Sequence, residues 1–370
     1  MENLIIRRCW SSLMDNIFEL EPYCLRKEQK QQWLLKELTL LNAYHQQHSK
    51  EYKAILDAFG YKHKEYKKVE DFFALPVQIF KQYQLSSSKE IFKTLTSSGT
   101  TSATVSKIFL DKQTAMLQTK ALVKIMQSFL SKQRLPMLIV DTPSTIKNKT
   151  EFSARAAGIM GLMNFGRNHT FVLNDAMELE QERLDEFLEL YGNGRFLVFG
   201  FTFMVWEYFY KHLTKQTKQY DLQNGILFHS GGWKKLQELS VSNEVFKESF
   251  KAKLKLKNIH NFYGMVEQVG SIFVECKHGH LHTPNFADII VRDSVTLKPL
   301  GYNEEGVLEL VSLIPKSYPG HCLLSEDRGV VLGEDDCPCG RAGKYFHVYG
   351  RIKQAQQRGC SDTFAIKTKH

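Results

Sequence analysis

The chain has 370 residues, of which 43% are hydrophobic and 24% charged. This composition excludes a disordered or fibrous protein, and the length allows a large core and two or three domain-sized units. The longest apolar run ends at Trp206, where Glu207 follows, and it is far shorter than the ~18 residues of a membrane span. The N-terminus carries Glu2, Arg7 and Arg8 and lacks the apolar stretch of a secretory signal. We therefore expect a cytoplasmic protein with no membrane span.

The net charge of +9 is concentrated near the C-terminus. Residues 341–370 contain seven Lys or Arg and one acidic residue, Asp362, so this tail holds six of the nine net positive charges. Such a tail suits an anionic small ligand, an acidic partner protein or nucleic acid. One hypothesis is therefore a zinc-stabilised, basic nucleic-acid-binding protein. We disfavour it and expect no nucleic-acid partner, because the cations are not interleaved with aromatic residues on a repeated helix face.

Four regions of different pattern follow one another along the chain. Residues 1–90 are predicted to form a helical cap, because apolar residues such as Leu34, Leu38 and Leu41 recur at helical spacing. Residues 91–270 alternate apolar β-rich runs with amphipathic stretches, which predicts an α/β core of layered sheets. The predicted strands are 105–110, 137–141, 170–173, 196–199, 226–229 and 259–263. Residues 271–340 predict a β-rich, antiparallel or barrel-like subdomain, and residues 341–370 form the basic tail.

A Ser/Thr-rich segment precedes the first of these core strands. Glycine permits a tight turn, and hydroxyls with free backbone N–H groups can surround phosphate oxygens. The residues that offer these groups are Ser97, Ser98, Gly99, Thr100 and Thr101, and Lys107 adds a positive charge. The segment is not a Walker loop, because no Gly-Lys pair follows at the required spacing. A solvated linker is the alternative, but the position directly before a strand favours a phosphate loop.

Four segments, in this order along the chain, resemble the motifs of adenylate-forming enzymes, which activate a carboxylic acid as an acyl-adenylate. The first is the loop at 97–101 with Lys107, and the others are Tyr263-Gly264-Met265-Val266-Glu267, Leu324-Ser325-Glu326-Asp327 and Tyr349-Gly350-Arg351. The resemblance implies that ATP and Mg²⁺ are used. It also implies that Glu267 serves the Mg-ATP, that Tyr263 lies near the adenine, and that Asp327 holds the ribose hydroxyls. Gly264 and Arg351, in the same motifs, are further predicted ATP-binding residues.

The same resemblance implies a fold class. It predicts the α/β N-terminal body of an adenylate-forming enzyme, with layered sheets and a β-rich subdomain. Arg351 resembles the arginine that precedes the hinge of a mobile C-terminal domain in this superfamily. Only 19 residues follow Arg351, so we expect this mobile domain to be missing. Taken singly, Glu267 could instead cap a helix and Asp327 could lie in a turn.

Further stretches resemble the acyl-protein synthetase (LuxE-like) family, which is related to the phenylacetate-CoA ligases. They are Phe152–Arg155, Ser230–Lys235, Asn261–Glu267, His282–Asp288 and Arg358–Thr363. The resemblance covers essentially the whole chain and implies an ATP-dependent long-chain fatty acid–protein ligase. Such an enzyme activates the fatty acid and loads it on its own cysteine, for delivery to an acyl-accepting, reductase-like partner. An acyl-CoA ligase of the phenylacetate type is the alternative.

The resemblance places the acceptor cysteine at Cys360. Elementary chemistry is in agreement, because a thiolate attacks an acyl-adenylate readily and nearby cations such as Arg358 favour the thiolate. An incidental surface cysteine is the alternative. We predict Cys360, Glu267 and Lys107 as catalytic residues.

Cysteine and histidine residues also suggest a metal site. Three thiolates and one imidazole can complete a tetrahedral shell, as in structural zinc sites. Cys276, His282, Cys337 and Cys339 are the predicted ligands, with His278 and His280 as rivals to His282. Packing of these side chains in a core without metal is the alternative.

An aromatic run predicts a wall for the acyl chain. Phe199, Gly200 and Phe201 follow a predicted strand, and the small residues Gly231 and Gly232 would leave room for a ligand. Ordinary core packing of the same side chains is the alternative.

Overall fold

The structure is a computed structural model, which describes residues 17–61, 65–97, 105–130, 132–147, 154–231, 241–268 and 270–351. These residues form two compact units. The first unit consists of the described residues within 1–128, 264–273 and 280–370, and the second of those within 129–263 and 274–279. The first unit therefore combines segments that are far apart along the chain.

Helices of the first unit come from its N-terminal part. Their bounds are Lys27–His48 (α1), Lys50–Ala58 (α2), Ile79–Gln82 (α3) and Lys112–Gln127 (α4). Side chains cap two of the helix starts, since Ser49 accepts a hydrogen bond from the Tyr52 N–H and Asp111 accepts one from the Thr114 N–H. No helix among the described residues is long and apolar enough to cross a membrane.

Strands of the first unit form two sheets. A short hairpin joins β2 (Lys93–Thr96) to β3 (Lys107–Leu110), and β1 (Leu75–Pro76) pairs in parallel with β13 (Cys322–Glu334). The remaining strands are antiparallel in the order β11-β12-β13-β14-β10. Their bounds are Leu281–His282 (β10), Ala287–Arg292 (β11), Glu305–Ser312 (β12), Cys322–Glu334 (β13) and Lys344–Arg351 (β14). These strands lie in the region after residue 271, for which the sequence predicted an antiparallel or barrel-like arrangement.

Helix α1 buries polar as well as apolar side chains. Lys30 Nζ donates to Thr283 Oγ1 at 2.7 Å, and Gln31 Nε2 donates to Asp288 Oδ2 at 2.8 Å. Lys344 Nζ also donates to Asp288, at 2.9 Å. Buried charges are stable only when they are paired in this way. These bonds therefore fix the face that α1 presents to the sheet.

The second unit is a parallel α/β sheet in the strand order β5-β4-β6-β7-β8. Its strands are Leu135–Val140 (β4), Gly166–Phe171 (β5), Phe196–Phe201 (β6), Gly225–Ser230 (β7) and Asn258–Tyr263 (β8), and β9 spans Phe273–Glu275. Its helices are Ala154–Met163 (α5), Gln181–Tyr191 (α6), Thr202–Met204 (α7), Lys211–Lys215 (α8) and Asn243–Leu254 (α9), with a π-helix at Val205–Tyr210. The alternation predicted from the apolar runs is confirmed from 137 onwards, whereas the strand predicted at 105–110 is β3 of the antiparallel hairpin in the first unit. The chain has the predicted mixed α/β fold.

Strands β4 and β7 are buried along their whole length, which explains the unbroken apolar sequence of β4 and the apolar start of β7 before the buried polar residues His229 and Ser230. Aromatic side chains from the helices cover the sheet. The ring of Phe246 lies 4.7 Å from that of Phe250 and 5.6 Å from that of Trp206, measured between centroids. These rings belong to the hydrophobic core of the second unit.

Candidate active site

The base of the predicted phosphate loop is the β2–β3 hairpin. Thr96 pairs with Lys107 across the two strands. Beyond this pair, the Ser97 N–H donates to the Ser106 carbonyl at 3.1 Å, and the Ser106 N–H donates to Ser97 Oγ at 2.9 Å. Ser98, Gly99, Thr100 and Thr101 lie outside the described residues. The hairpin thus fixes both ends of the loop and leaves Lys107 exposed at its base.

Glu267 lies in a short 3₁₀ turn and is only 8% exposed. Burial raises the pKa of its carboxyl group, whereas the Ser106 hydroxyl, the Glu267 backbone N–H and the positive charges of Lys81 and Arg351 act to lower it. The next residue anchors the turn, because Gln268 Nε2 donates to the carbonyls of Leu310 and Gly320. A buried carboxylate therefore lies near the end of the phosphate loop and near two cations.

Two further predicted residues are brought together by the β13–β14 pairing. Asp327 and Arg351 are direct partners in the register of these antiparallel strands. Ser325 Oγ accepts a hydrogen bond from the Asp327 N–H at 3.1 Å, which orders the strand at this point. Arg351 also acts on the pKa of Glu267. The first unit thus gathers Lys107, Glu267, Asp327 and Arg351, which are widely separated in sequence.

Tyr263 and Gly264 lie where the chain passes between the units. Tyr263 is the last residue of β8, in the second unit, and Gly264 begins the segment of the first unit that carries Glu267. A Cβ on Gly264 would lie 3.2 Å from Ile272 Cγ2, so glycine allows close packing here. The ATP-binding role of these two residues stays a prediction.

Two neighbours of Glu267 were not among the predicted site residues. Ser106 belongs to the Ser/Thr-rich segment and directly precedes Lys107, so its position in that segment could have identified it. Lys81 lies on α3, and no motif surrounds it. Only the folded arrangement reveals its proximity to Glu267.

The second unit has a polar cluster where β4 ends. Asp141 follows this strand and accepts hydrogen bonds from Arg155 Nε at 2.8 Å and from the same guanidinium's second nitrogen at 2.6 Å. It also accepts bonds from the Thr142 N–H and the Thr145 hydroxyl, both at 2.6 Å. Ligands of open α/β sheets bind beyond the carboxyl ends of the strands. The Asp141–Arg155 pair is therefore a further candidate for the binding region, although only Arg155 lies in a stretch that carried the resemblance.

The four predicted metal ligands come together. Cys276, His282, Cys337 and Cys339 each have a ligand atom within 4.8 Å of those of the other three. His282 Nε2 lies 3.3 Å from Cys339 Sγ. In a tetrahedral zinc site with bonds of about 2.0–2.3 Å, ligand atoms stand ~3.3–3.8 Å apart. The four residues fit such an ion.

Electrostatics around this cluster also suit a metal. Burial lowers the pKa of His282 to about 3, which keeps its imidazole neutral as a ligand must be. Burial by itself acts to raise the pKa of the Cys339 thiol. Hydrogen bonds from the Arg341 N–H and from Cys337, together with the positive charge of Arg341, outweigh burial, so the pKa is lowered. His280 Nδ1 lies 3.3 Å from Cys337 Sγ, and His278 is exposed. Both histidines lie outside the set of four.

The residues predicted for the acyl wall have different environments. Phe199 is fully buried, and a Cβ on Gly200 would lie 2.6 Å from Val205 Cγ2 and 2.9 Å from Val140 Cβ. The space beside Gly200 is therefore filled by protein, which is a packing reason for this glycine. Phe201 is half-buried, and Gly231 has a φ of +87°, a conformation that favours glycine. Gly232 and the predicted acceptor Cys360 lie outside the described residues.

The fold is similar to that of solved CoA ligases. A 2-hydroxyisobutyryl-CoA ligase, solved in an open conformation with 2-HIB-AMP and CoA, superimposes with a TM-score of 0.70 at 15% identity, over 90% of this chain and 77% of that one. The same ligase in its postadenylation state, with 2-HIB-AMP, gives a TM-score of 0.68 at 16% identity, over 90% and 70%. These likenesses show that the chain shares the fold of most of this ligase.

The sequence matches one family over nearly its whole length. No curated protein matches the chain. The model of the family "Acyl-protein synthetase, LuxE" matches residues 2–368, which include the phosphate loop, Glu267, Asp327, Arg351 and Cys360. Because this match spans almost all of the 370 residues, the chain belongs to the acyl-protein synthetase (LuxE) family and is an enzyme of the ligase type.

Proposed function

We propose that this ligase activates a long-chain fatty acid as its acyl-adenylate and then transfers the acyl group to the thiol of Cys360. The observation that carries the proposal is the grouping of Glu267 with the base of the phosphate loop, Lys81 and Arg351 in a chain of the LuxE family. ATP and the fatty acid are the substrates, and Mg²⁺ accompanies the ATP. The acyl thioester is then passed to an acyl-accepting partner, for which we propose a reductase.

During adenylation, further negative charge develops on the phosphate oxygens of ATP. A carboxylate oxygen of the fatty acid attacks the α-phosphorus, the bond to the β-phosphate oxygen breaks, and pyrophosphate leaves. The loop at 97–101 and Lys107 offer N–H, hydroxyl and ammonium donors to the phosphate oxygens. Glu267 is suited to hold the magnesium ion, which would neutralise phosphate charge. Asp327, opposite Arg351, would accept hydrogen bonds from the ribose hydroxyls.

Thioester formation then uses the activated acyl group. The Cys360 thiol gives its proton to solvent, the thiolate attacks the acyl carbonyl carbon, and the bond to the AMP oxygen breaks. AMP leaves, and the acyl group stays bound to sulfur. Glu267, Lys107 and Cys360 thus have separate roles, in adenylation and in transfer, which makes the two half-reactions separable by mutation.

Intact mass measurement tests both half-reactions. The protein is incubated with ATP, Mg²⁺ and a panel of fatty acids of different length, and the modified peptide is identified. We expect one acyl mass on Cys360, removed by neutral hydroxylamine. Cys360→Ser should still release pyrophosphate but lose this thioester, with Cys24→Ser as a matched control. Thioester labelling of Cys360→Ser would contradict the transfer step, and product that forms only with CoA would support the phenylacetate-type alternative.

We also propose that Cys276, His282, Cys337 and Cys339 hold a structural zinc ion. The proposal rests on the distances among their ligand atoms and on the neutral state of His282. An ion held by four protein ligands has no open position for a substrate, and its binding energy stabilises the fold. The site therefore supports the protein and does not take part in acyl transfer.

A further inference from the structure

Three arginines lie at the amino ends of neighbouring strands in the second unit. Arg134 directly precedes β4, Arg195 directly precedes β6, and Arg167 is the second residue of β5. These strands are parallel and adjacent in the order β5-β4-β6. Because parallel strands start at the same edge of a sheet, the three arginines come together there. This edge is opposite to the carboxyl ends of the strands, where Asp141 and Arg155 lie, and six-residue strands separate the two edges by ~20 Å.

The three arginines line an open groove with a volume of about 810 Å³. All three are exposed, and none of the described residues that line the groove is an aspartate or glutamate. Leu190, which is 63% exposed, and Tyr191, at the end of α6, also line the groove. The groove therefore combines a concentrated positive charge with an exposed apolar side chain.

Hydrogen bonds within the protein involve only some of the guanidinium nitrogen atoms of these arginines. Arg134 donates from Nε to the Gly166 carbonyl at 2.7 Å and from a terminal nitrogen to the Met163 carbonyl at 3.5 Å, at the end of α5. Arg167 Nε donates to the Arg134 carbonyl at 3.2 Å. Within the described part of the chain, none of the three arginines forms an ion pair, and Arg195 forms no hydrogen bond. The guanidinium groups at this edge are not neutralised by their own protein.

We propose that this groove is a docking site for an acidic segment of a partner protein that also carries an apolar side chain. Guanidinium groups bind carboxylates in bidentate geometry, and several together select a segment rich in Asp or Glu. Leu190 provides an apolar contact, whereas the phosphodiester backbone of a nucleic acid offers no apolar group to match it. The groove is built from residues of the second unit and includes none of the residues assigned to adenylation, so the inference does not rest on the proposed chemistry.

Fluorescence anisotropy with a defined probe tests the site. The probe is a short fluorescein-labelled peptide of Glu and Leu, and its counterpart with Gln in place of Glu serves as the uncharged control. We expect the full-length protein to bind the Glu peptide only. Arg195→Glu and Arg167→Glu should each weaken binding ~10-fold, and together more strongly, because a reversed charge repels the ligand. Lys253→Glu, an exposed charge reversal on α9, is the matched control and should leave affinity nearly unchanged.

Each remaining outcome contradicts the proposal. Equal weakening by Lys253→Glu and Arg195→Glu would mean that the net charge of the protein attracts the peptide without a specific site. Competition by a single-stranded RNA at lower concentration than the Glu peptide would assign the groove to nucleic acid. Failure of the wild-type protein to bind the Glu peptide at low salt would also overturn the inference. Thermal unfolding and pyrophosphate release, which should be unchanged in both arginine variants, show that the fold is intact.

Discussion

At the scale of single residues, the ionisation of Glu267 is set by opposing neighbours. Burial raises the pKa of this carboxyl group, and the Ser106 hydroxyl, which is buried and has no other hydrogen-bond partner among the described residues, acts to lower it by stabilising the carboxylate. If the carboxylate is needed for adenylation, activity should rise as the pH increases through this raised pKa. Ser106→Ala should move the acid limb of pyrophosphate release to higher pH, because it removes one stabilising partner of the charged form.

The measurement is a pH–rate profile of ATP-dependent pyrophosphate release at saturating fatty acid. Glu267→Gln should lower the rate ~100-fold or more at all pH values and abolish the acid limb. Thr94→Ala, an exposed change on the same hairpin, should leave the limb in place. Identical acid limbs in the wild type and Ser106→Ala would disprove the role of this hydroxyl.

Metal ligation is also a property of single residues. His282→Asn and Cys337→Ser should reduce bound zinc to well below one equivalent, since each removes one of four ligands. Because metal binding contributes folding free energy, the melting temperature should fall as well. Zinc content by plasma mass spectrometry, with the melting temperature, measures both effects. His278→Asn is the matched control, since this histidine is exposed and outside the cluster; equal zinc loss from it would contradict the ligand set.

At the scale of elements, β6 passes close to its neighbours at Gly200. A Cβ at this position would lie 2.6 Å from Val205 and 2.9 Å from Val140. Gly200→Ala should therefore lower the free energy of unfolding by ~1–3 kcal/mol, the usual cost of overpacking. Gly194→Ala, where the nearest atom would be 3.9 Å away, should be nearly neutral. Urea unfolding measures both, and a stable Gly200→Ala enzyme with altered fatty-acid length preference would instead favour the acyl-wall prediction.

The elements also show why sequence predicted some features and not others. Strands β4 and β6 are continuous apolar runs and β7 begins with one, and helical stretches separate them, so their existence and parallel α/β arrangement follow from local pattern. Helix α1 was predicted as a helix, but its contacts were not. Its buried Lys30 depends on Thr283, which is 253 positions away. Likewise, only folding brings Lys81 close enough to Glu267 to affect its pKa, whereas the motif at Glu267 was recognisable in sequence.

At the scale of the whole molecule, stability responds to pH through buried groups of both signs. Burial lowers the pKa of His229 and of His321 to about 3 and holds that of His45 well below its usual range. An unfolded histidine titrates near 6.5, so acidification below that value favours the unfolded chain, which binds more protons. Burial raises the pKa of Glu309 to about 7, and this group has the opposite effect between pH 4.5 and 7.

Replacement of His321 isolates the contribution of one histidine to the pH dependence of stability. His321 stacks on His45 with centroids 5.0 Å apart, and its Nε2 lies 3.3 Å from the Tyr52 hydroxyl. Nδ1 is buried and has no hydrogen-bond partner among the described residues, so a proton there would be an uncompensated charge. His321→Gln keeps a polar group near Tyr52 but cannot titrate. The loss of unfolding free energy between pH 6 and pH 5 should therefore be smaller in this variant by roughly 1 kcal/mol.

Urea unfolding at pH 6 and at pH 5 gives the slope of the unfolding free energy with pH. Any destabilisation by His321→Gln that is the same at both pH values cancels from this slope. His48→Gln is the matched control, because His48 lies on the same helix as His45 but is exposed. Its slope should equal that of the wild type, since this substitution leaves the buried His45–His321 pair in place. Equal slopes in all three proteins would mean that His321 accepts its proton without unfolding. In that case the stacked pair would be open to solvent on the timescale of the experiment, and the acid sensitivity of the molecule would have to arise elsewhere.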